Sequence, residues 1–598
     1  MKRIKLIVEN RQYTSWKFCD PLDFSTISID ETHALKMIDP LKEKHFMDDV
    51  FEIRDIGTPT ENISFIHSMI RSGITIAGIL QLDNNRTYGR DVKNRLLYKC
   101  IPDDIHLPHF LVPYDIKQKF SKAHKNKYIV FSFSSWDKVH PIGIIRETLG
   151  DVDNLDMFYE YQLYCKRVHV SLTEFSNKTR VSLREKTNDD YIKQIENNPK
   201  FNIIDRRSDY VFTVDPKNSG DLDDGLSIIE MYNDLGEQIG WKVSVYIANI
   251  YVWLETLGLW NAFSKRVSSI YLPDRKRPML PTVLSDNLCS LRQNTDRFVV
   301  ATDFFFDCNG AMNGNIQYHN AVIHVSHNYA YEESKMTKYD VCYKKLFALS
   351  ELMDKSVRNS HDLVSFWMVQ LNAYTGLSMM GLKTGIFRSV TFNVNEKNTV
   401  LDDDITEDCA RIIRTWNNTT GHYLMFDDKT DLNHELMNIT SFKKNSIATN
   451  KIKAYIHISS PIRRLVDLLN QMILLDTQKM ITERSDDATN FYNGWVEQLE
   501  YINRSMRLIR KVQVDCEVVR RCFDDDTITR DLHRGIVFDK IVKNNGLICY
   551  MVYLEDIKLL SRITTTIDMP NNTYATFNVF LFEDEDKVRR KIRLSLID

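Results

Sequence analysis

Hydrophobic positions in this chain read as short strands from about residue 63 to 150, again from about 210 to 306 and beyond about 530, with helical spacing setting in from Lys344. Ile74–Leu80 and Leu96–Pro102 read as strands on either side of the Asn84-Asn85 turn, and Tyr128–Phe133 and Pro141–Arg146 read as two more. Short strands at this spacing predict small β-barrels. One is expected over residues 61–120 and a second over 121–185. Residues 1–60 mix short apolar stretches with charge and suggest no chemistry. The polar start of the next unit, residues 186–205, reads as a linker or bridging helix. Tyr210–Val214, Leu226–Ile229, Trp241–Ala248 and Phe298–Phe306 read as strands. Ser269–Pro281 carries three prolines and predicts a rigid extended segment. The period turns helical in Lys344–Met353, Leu363–Met380 and Ile462–Asp476. After residue 530, Gly535–Phe538 and Gly546–Tyr553 return to strand and predict a third small barrel over 530–598. The fold class that follows is multidomain α+β: a central mixed α/β unit over 186–522, flanked by small barrels.

Composition narrows the class. A chain of 598 residues is too long for one core. The 43% hydrophobic and 27% charged residues are those of a soluble globular protein. No apolar run reaches the ~18 residues of a membrane span, so no membrane partner is expected. The start, MKRIKLIVENRQ, lacks the apolar core and cleavage site of a secretory signal. The ten cysteines form no C-x-x-C and no zinc-finger spacing. Reduced thiols and an intracellular, cytoplasmic setting are the expectation. Net charge is −3, so a polyanion would need local basic surfaces. Arg504, Arg507 and Lys511 share one helix face, which suits either a phosphate grip or a solvated surface.

The densest chemistry lies in Tyr210–Gly225, YVFTVDPKNSGDLDDG. Asp215, Asp221, Asp223 and Asp224 fall within ten residues, around a Pro, Asn, Ser, Gly turn between two strands. Like charges this close repel unless protons or a cation neutralise them. Hard oxygen donors favour Mg²⁺, with Mn²⁺ as the alternative; Ca²⁺ in an EF-hand loop would need D-x-D-x-D-G, which no register here supplies. Read alone, the loop is also compatible with a solvated acidic turn.

Three stretches resemble, in order, the signatures of the ribonuclease II (RNB) family: DPKNSGDLDDG (215–225), RVSSIYLPDRKRPMLPTVLSDNLCSL (266–291) and YIHISSPIRRLVDLL (455–469). That family includes ribonuclease R and the exosome catalytic subunit. IRSGITIAGILQLDNNRTYGR and HPIGIIRETLGD resemble its two cold-shock-type OB domains, and 530–598 sits where it keeps a C-terminal OB domain. The resemblance implies a central RNB-type catalytic domain between OB-fold RNA-binding domains. It implies hydrolytic 3′→5′ degradation of single-stranded RNA to nucleoside 5′-monophosphates by two Mg²⁺ ions, and a place in an RNA-decay complex. Asp215, Asp221, Asp223 and Asp224 would hold the metal, with Asp223 also catalytic. Arg463 would contact the scissile phosphate and Tyr271 would orient the terminal nucleotide. Arg275, Arg277 and Arg464 would bind substrate, although Arg464 also suits a structural ion pair.

The chain departs from the family pattern at four places. H-I-A-D is Tyr246-Ile247-Ala248-Asn249, and E-E-x-M is Ser365-Phe366-Trp367-Met368. The hairpin that carries an RNA-stacking aromatic is missing between Leu346 and Leu363. A glycine-rich run is replaced by Asn445–Asn450. Loss of one stacking aromatic would weaken RNA binding by ~1–3 kcal/mol. Two functions follow: a Mg²⁺-dependent exoribonuclease, or a catalytically weak or inactive RNB-fold protein that binds RNA.

Overall fold

A computed structural model describes residues 2–597 apart from 24, 28–34, 36–37, 56–61, 117–123, 391–404, 418–420, 428–453, 544–545 and 584–589. Strands β1 to β5 (Lys2–Val8, Trp16–Cys19, Thr26–Ile27, Val50–Arg54 and Asn62–His67) form one antiparallel sheet in the order β3-β2-β1-β4-β5. Exposed and buried positions alternate along β1, and Ile4, Leu6 and Val8 pack on Phe18, Phe51 and Ile53. The N-terminal stretch without assigned chemistry is thus part of a folded unit.

Strands β6 to β10 (Ile76–Leu80, Leu97–Pro102, Phe110–Pro113, Lys127–Ser135 and Ile142–Asp151) close into a single barrel. The expected division at residue 120 falls inside it, because β6 pairs with β9 across that boundary. The two barrels read at 61–120 and 121–185 are therefore corrected to one sheet over Lys2–His67 and one barrel over Ile76–Asp151. Period-two patterning reveals a strand but not its partner, so the four strands read over 74–146 could be split between two barrels although they belong to one. Beyond the barrel come the helices Leu155–Cys165, Thr173–Ser182 and Asn188–Glu196. The last is the expected bridging helix, and Thr187 caps it with a reciprocal bond to Asp190.

The central unit is built on β11 (Ile204–Asp205), β12 (Val211–Asp215), β13 (Asp224–Tyr232) and β14 (Gln238–Ala248). It continues with a small hairpin, β15 (Ile270–Tyr271) and β16 (Lys276–Arg277), and then β17 (Asp296–Asp307) and β18 (Gln317–Ala330). The large sheet runs β11-β18-β12-β13-β14-β17, and β18 pairs also with β17, so the sheet curls back on itself. Phe212, Leu226, Val243, Val245 and Phe304 fill its buried side. The helix Leu465–Thr477 is buried on nearly every side and carries the segment before it into this core. β19 (Ile386–Val390) and β20 (Gly421–Met425) form a separate hairpin. The long helix Leu499–Asp524 leads to β21 to β25 (Leu532–Val542, Ile548–Leu554, Leu559–Thr565, Thr573–Glu583 and Arg590–Ile597), a five-stranded sheet in the order β23-β22-β21-β24-β25. All ten cysteines are free thiols. Among the described residues, no helix is long and apolar enough to cross a membrane.

Three departures from the family pattern have structural explanations. Tyr246 is fully buried; its hydroxyl donates to Asp209 at 2.7 Å and accepts from Arg206 at 3.1 Å. Asn249 caps the helix Ile250–Thr256 and donates to Asn320 at 2.9 Å. Trp367 lies inside the core against Phe304 and Phe306, and its indole N–H donates to Ser350 at 2.9 Å. Only residues 354–359 join the helices Val341–Met353 and Ser360–Gly381, so there is no hairpin between them. The fourth departure, Asn445–Asn450, lies outside the described residues.

Truncating Trp367 to Ala removes a buried indole and leaves Ser350 without its donor. The Trp367→Ala protein should lose about 3–5 kcal/mol in urea unfolding followed by near-UV circular dichroism. A loss below about 1 kcal/mol would show that the indole is not a core element.

Candidate active site

The acidic loop bridges β12 and β13. Asp215 ends β12 and Asp224 opens β13. The turn is closed by the Ser219 N–H donating to the Pro216 carbonyl at 3.0 Å, with Asn218 in the left-handed region at φ 67°. Asparagine tolerates that conformation better than most residues. The loop is then pinned from outside. The Leu222 N–H donates to Ser290 at 3.2 Å, and the Leu222 carbonyl accepts from the Leu291 N–H at 3.0 Å. The Asp223 carbonyl accepts from the Ala248 N–H at 2.9 Å.

Asp223 is 2% exposed. One of its oxygens accepts from the Ile462 N–H at 2.8 Å and the other from Arg463 Nε at 3.1 Å. Arg463 is delivered from far along the chain. Its carbonyl accepts from the Ser269 N–H and the Ser268 hydroxyl, both at 2.9 Å, which ties it to the segment that carries Tyr271. A terminal nitrogen of Arg463 donates to Ser460 at 2.9 Å, and its side chain remains 44% exposed. Tyr271 donates its hydroxyl to Asp221 at 2.6 Å. The other Asp221 oxygen meets the Lys276 ammonium at 3.0 Å, and Lys276 also pairs with Asp286 at 2.9 Å.

The electrostatics follow from this crowding. Burial pushes the carboxyls of Asp215, Asp223 and Asp224 up to about 7, and neighbouring aspartates add to the rise while Arg463 opposes it. Asp215 is the acid that raises Asp224. Asp215 Oδ2 is buried and has no hydrogen-bond partner among the described residues. An orphaned carboxylate oxygen facing a second carboxylate fits a hard divalent cation. Asp221 and Asp223 differ, because Lys276, Tyr271, Arg463 and the Ile462 N–H already occupy them. Accordingly, no group of three or more acidic, histidine or cysteine side chains forms a ready metal cage among the described residues. Among the described residues Asp215 and Asp224 carry no ion pair, while Asp221 and Asp223 are each paired with a cation of the chain.

The structure thus gathers Asp215, Asp221, Asp223, Asp224, Tyr271 and Arg463 into one place. It does not bring Arg275 and Arg277 to the carboxylates. Arg275 is 70% exposed and faces Glu160 and Asp274 at 3.7 Å. Arg277 is buried and donates to Glu160 at 2.9 Å and Asp274 at 2.8 Å, a tie between β16 and the helix Leu155–Cys165. Their strand alternation puts Lys276 on the opposite face, towards Asp221. Arg464 donates to the fully buried Asp467 at 2.8 Å, the ion-pair alternative. Arg504 and Arg507 lie exposed on their helix. Sequence reasoning missed two residues. Lys276 was legible as the middle member of the Arg-Lys-Arg run. Tyr331, whose N–H donates to the Asp215 carbonyl at 3.2 Å and whose ring stacks on His361 at 3.5 Å, left no signal.

Three carboxyls raised to about 7 make the metal-free protein pH-sensitive. Each binds a proton more readily folded than unfolded, so stability falls as pH rises from the ordinary carboxylate range to about 7 and stays low above it. In chelator, Tm should therefore be lower at about pH 8 than at about pH 5, and Mg²⁺ should raise it at the higher pH and little at the lower. Asp224→Asn should raise Tm in chelator at the higher pH. A Tm that ignores both pH and Mg²⁺ would contradict the proximity of these carboxyls.

Comparison with known proteins agrees with this geometry. The RNB domain model matches residues 203–340. DIS3-like exonuclease 2 of Schizosaccharomyces pombe is 26% identical over 246 residues, 38% of this chain and 25% of that protein. Ribonuclease R of Chlamydia pneumoniae is 25% identical over 326 residues, 46% of this chain and 47% of that protein. The matched stretch therefore spans a quarter to about half the length of these relatives. Among solved structures, Mycoplasma genitalium RNase R in complex with ribose-methylated single-stranded RNA matches with a TM-score of 0.64 at 16% identity, over the whole of both chains. Yeast Ssd1, described as a pseudonuclease, matches with a TM-score of 0.57 at 13% identity, over 96% of this chain and 80% of that one. The fold is shared with an RNase R and with a pseudonuclease alike. The chain thus carries an RNB domain over residues 203–340, and the acidic loop, the Tyr271 segment and the Arg463 segment, which resemble signatures of the ribonuclease II (RNB) family, are joined in one site.

Proposed function

We propose that this protein is a divalent-metal-dependent exoribonuclease that degrades single-stranded RNA from the 3′ end to nucleoside 5′-monophosphates. The observation that carries the reading is the junction of Asp223 with Arg463, whose residues lie in separate family signatures and meet at 3.1 Å. Asp215 and Asp224 are the residues that would hold Mg²⁺ or Mn²⁺, which supplies charge neutralisation at the phosphate and a stronger water nucleophile. Asp221 and Asp223, which the family resemblance also implies as ligands, are engaged by Lys276 and Arg463. Asp223 holds Arg463 through Nε, leaving one terminal nitrogen without a partner among the described residues to meet a phosphate oxygen. A fixed guanidinium suits that task because its donors are planar and always charged. Asp223, with both oxygens engaged by the Ile462 N–H and Arg463, would act by holding that guanidinium in place. Tyr271, 41% exposed and held by Asp221, offers its ring to the terminal nucleotide. The ribonuclease names of the curated relatives and the RNA-bound RNase R structure support this reading. The free thiols support an intracellular, cytoplasmic setting, and an RNA-decay complex is its natural context.

A second reading has its own observation. Asp221 and Asp223 are neutralised by Lys276 and Arg463, so the loop is partly balanced without metal. A protein in which that balance is permanent would bind RNA and not cut it.

Incubation of 5′-labelled single-stranded RNA with the full chain and Mg²⁺ separates the two. The nuclease reading expects stepwise shortening from the 3′ end, release of 5′-monophosphates, and arrest by chelator. Arg463→Ala should slow turnover by about 10²–10³-fold, the range for removing one transition-state donor, and Asp223→Asn should do at least as much. RNA retained without mononucleotide release, under Mg²⁺ or Mn²⁺, would establish the binding reading.

A further inference from the structure

Arg388 lies in β19, opposite Tyr423 of β20, and its backbone N–H donates to the Tyr455 carbonyl at 2.8 Å. Its guanidinium carbon lies 5.2 Å from the centre of the Tyr423 ring. The guanidinium fills the space that a side chain at position 421 would take, since a Cβ on Gly421 would overlap it. Tyr423 is itself immobilised. Its backbone exchanges hydrogen bonds with Asn503 at 2.7 and 3.0 Å, and its hydroxyl meets His457 at 2.7 Å. The side chain is thus set in place, yet among the described residues its guanidinium makes no hydrogen bond and no ion pair.

Its surroundings are also cationic. Arg464 and Arg510 are the like charges that act on it, alongside burial, and all three lower its hold on its proton. Arg464 Nε is buried without a partner. The acid in this cluster, Asp467, is fully buried and already accepts from the Ser460 N–H at 2.7 Å and from Arg464 at 2.8 Å. Arg464 is met by Asp467 and, more weakly, Asp223, whereas the half-buried Arg388 and the exposed Arg510 add positive charge beside it that no described acid pairs. Such an arrangement is unfavourable until an anion enters, and guanidinium donors match phosphate oxygens in geometry. Arg464 directly follows Arg463, so this cluster adjoins the catalytic carboxylates along the chain.

We propose that Arg388, with Arg464 and Arg510, forms a second phosphate site that holds a backbone phosphate of the RNA strand other than the one beside Asp223. This rests on the reading of the protein as an RNA enzyme for its ligand, but not for its test. Arg388 would act as a substrate-binding residue without touching the reacting atoms. Tyr423 gives the guanidinium its orientation, and Gly421 gives it room.

The test measures binding of a 5′-labelled oligoadenylate to the full chain in chelator, across a salt series, for wild type, Arg388→Gln and Arg388→Lys. The Gln variant should bind roughly tenfold more weakly, and its slope of log affinity against log salt should be shallower by about 0.7, the signature of one lost phosphate contact on a single strand. The Lys variant keeps the charge and should keep the wild-type slope. A Gln variant with an unchanged slope overturns the proposal. Equal losses in Gln and Lys overturn it as well, since packing on Tyr423 and not charge would then be at work. Inorganic phosphate alone is the third probe. If it raises the Tm of wild type but not of Arg388→Gln, while the RNA slope is unchanged, the site takes free phosphate and the proposal falls. Mononucleotide release in Mg²⁺ is scored separately. Release with an Arg388-independent slope keeps the nuclease and removes this site, and an Arg388-dependent slope without release does the reverse.

Discussion

Four carboxylates held in one ten-residue loop are the constraint around which the central unit is arranged. Bringing like charges together out of water is costly, and the loop cannot relieve the cost locally because it carries only one lysine, Lys217. Relief arrives from two distant segments. The hairpin of β15 and β16 supplies Tyr271 and Lys276 to Asp221. The segment before the helix Leu465–Thr477 supplies the Ile462 N–H and Arg463 to Asp223. These two segments are bonded to each other through Ser268, Ser269 and Arg463. The curled sheet can therefore be read as a frame that brings one acidic loop to its two cationic partners.

The division of labour among the aspartates follows from where those partners land. Asp221 and Asp223 are balanced by the chain. Asp215 and Asp224 carry no ion pair among the described residues, and one buried oxygen of Asp215 has no hydrogen-bond partner among them. Three carboxyls near 7 also tie the stability of this site to pH, and a bound cation would compete with their protons. That coupling joins stability, metal and pH in one site.

Where the chain departs from the family, it exchanges charge for packing. Phe366, at one of the two acid positions of the family pattern, is buried in the core beside Trp367. Asn249 turns a carboxylate position into a helix cap, and Tyr246 closes a buried network with Arg206 and Asp209. Around β19 the tendency is opposite. Arg388 keeps a charge that the described residues do not answer, which places unmet demand for an anion beside the catalytic segment.

Much of this was legible in the sequence. The acidic loop could be named from residue type and spacing, and Tyr271 and Arg463 from the resemblance to the ribonuclease II family. The strands on either side of the loop and the long helices follow from local pattern, because patterning depends on neighbours in the chain, and the missing hairpin follows from comparison with the family pattern. Partnership was not legible. The pairing of β6 with β9 across residue 120 regrouped the barrels, and Arg277 turned from a substrate residue into a tie to Glu160. Lys276 became the counter-ion of Asp221, which only its place on the inner face of β16 reveals. The sequence by itself determined which chemical groups this protein owns and the type of element that carries each. The tertiary structure decided which aspartates are already neutralised and which stand open, because an ion pair depends on a few ångströms of separation between segments as much as 240 residues apart.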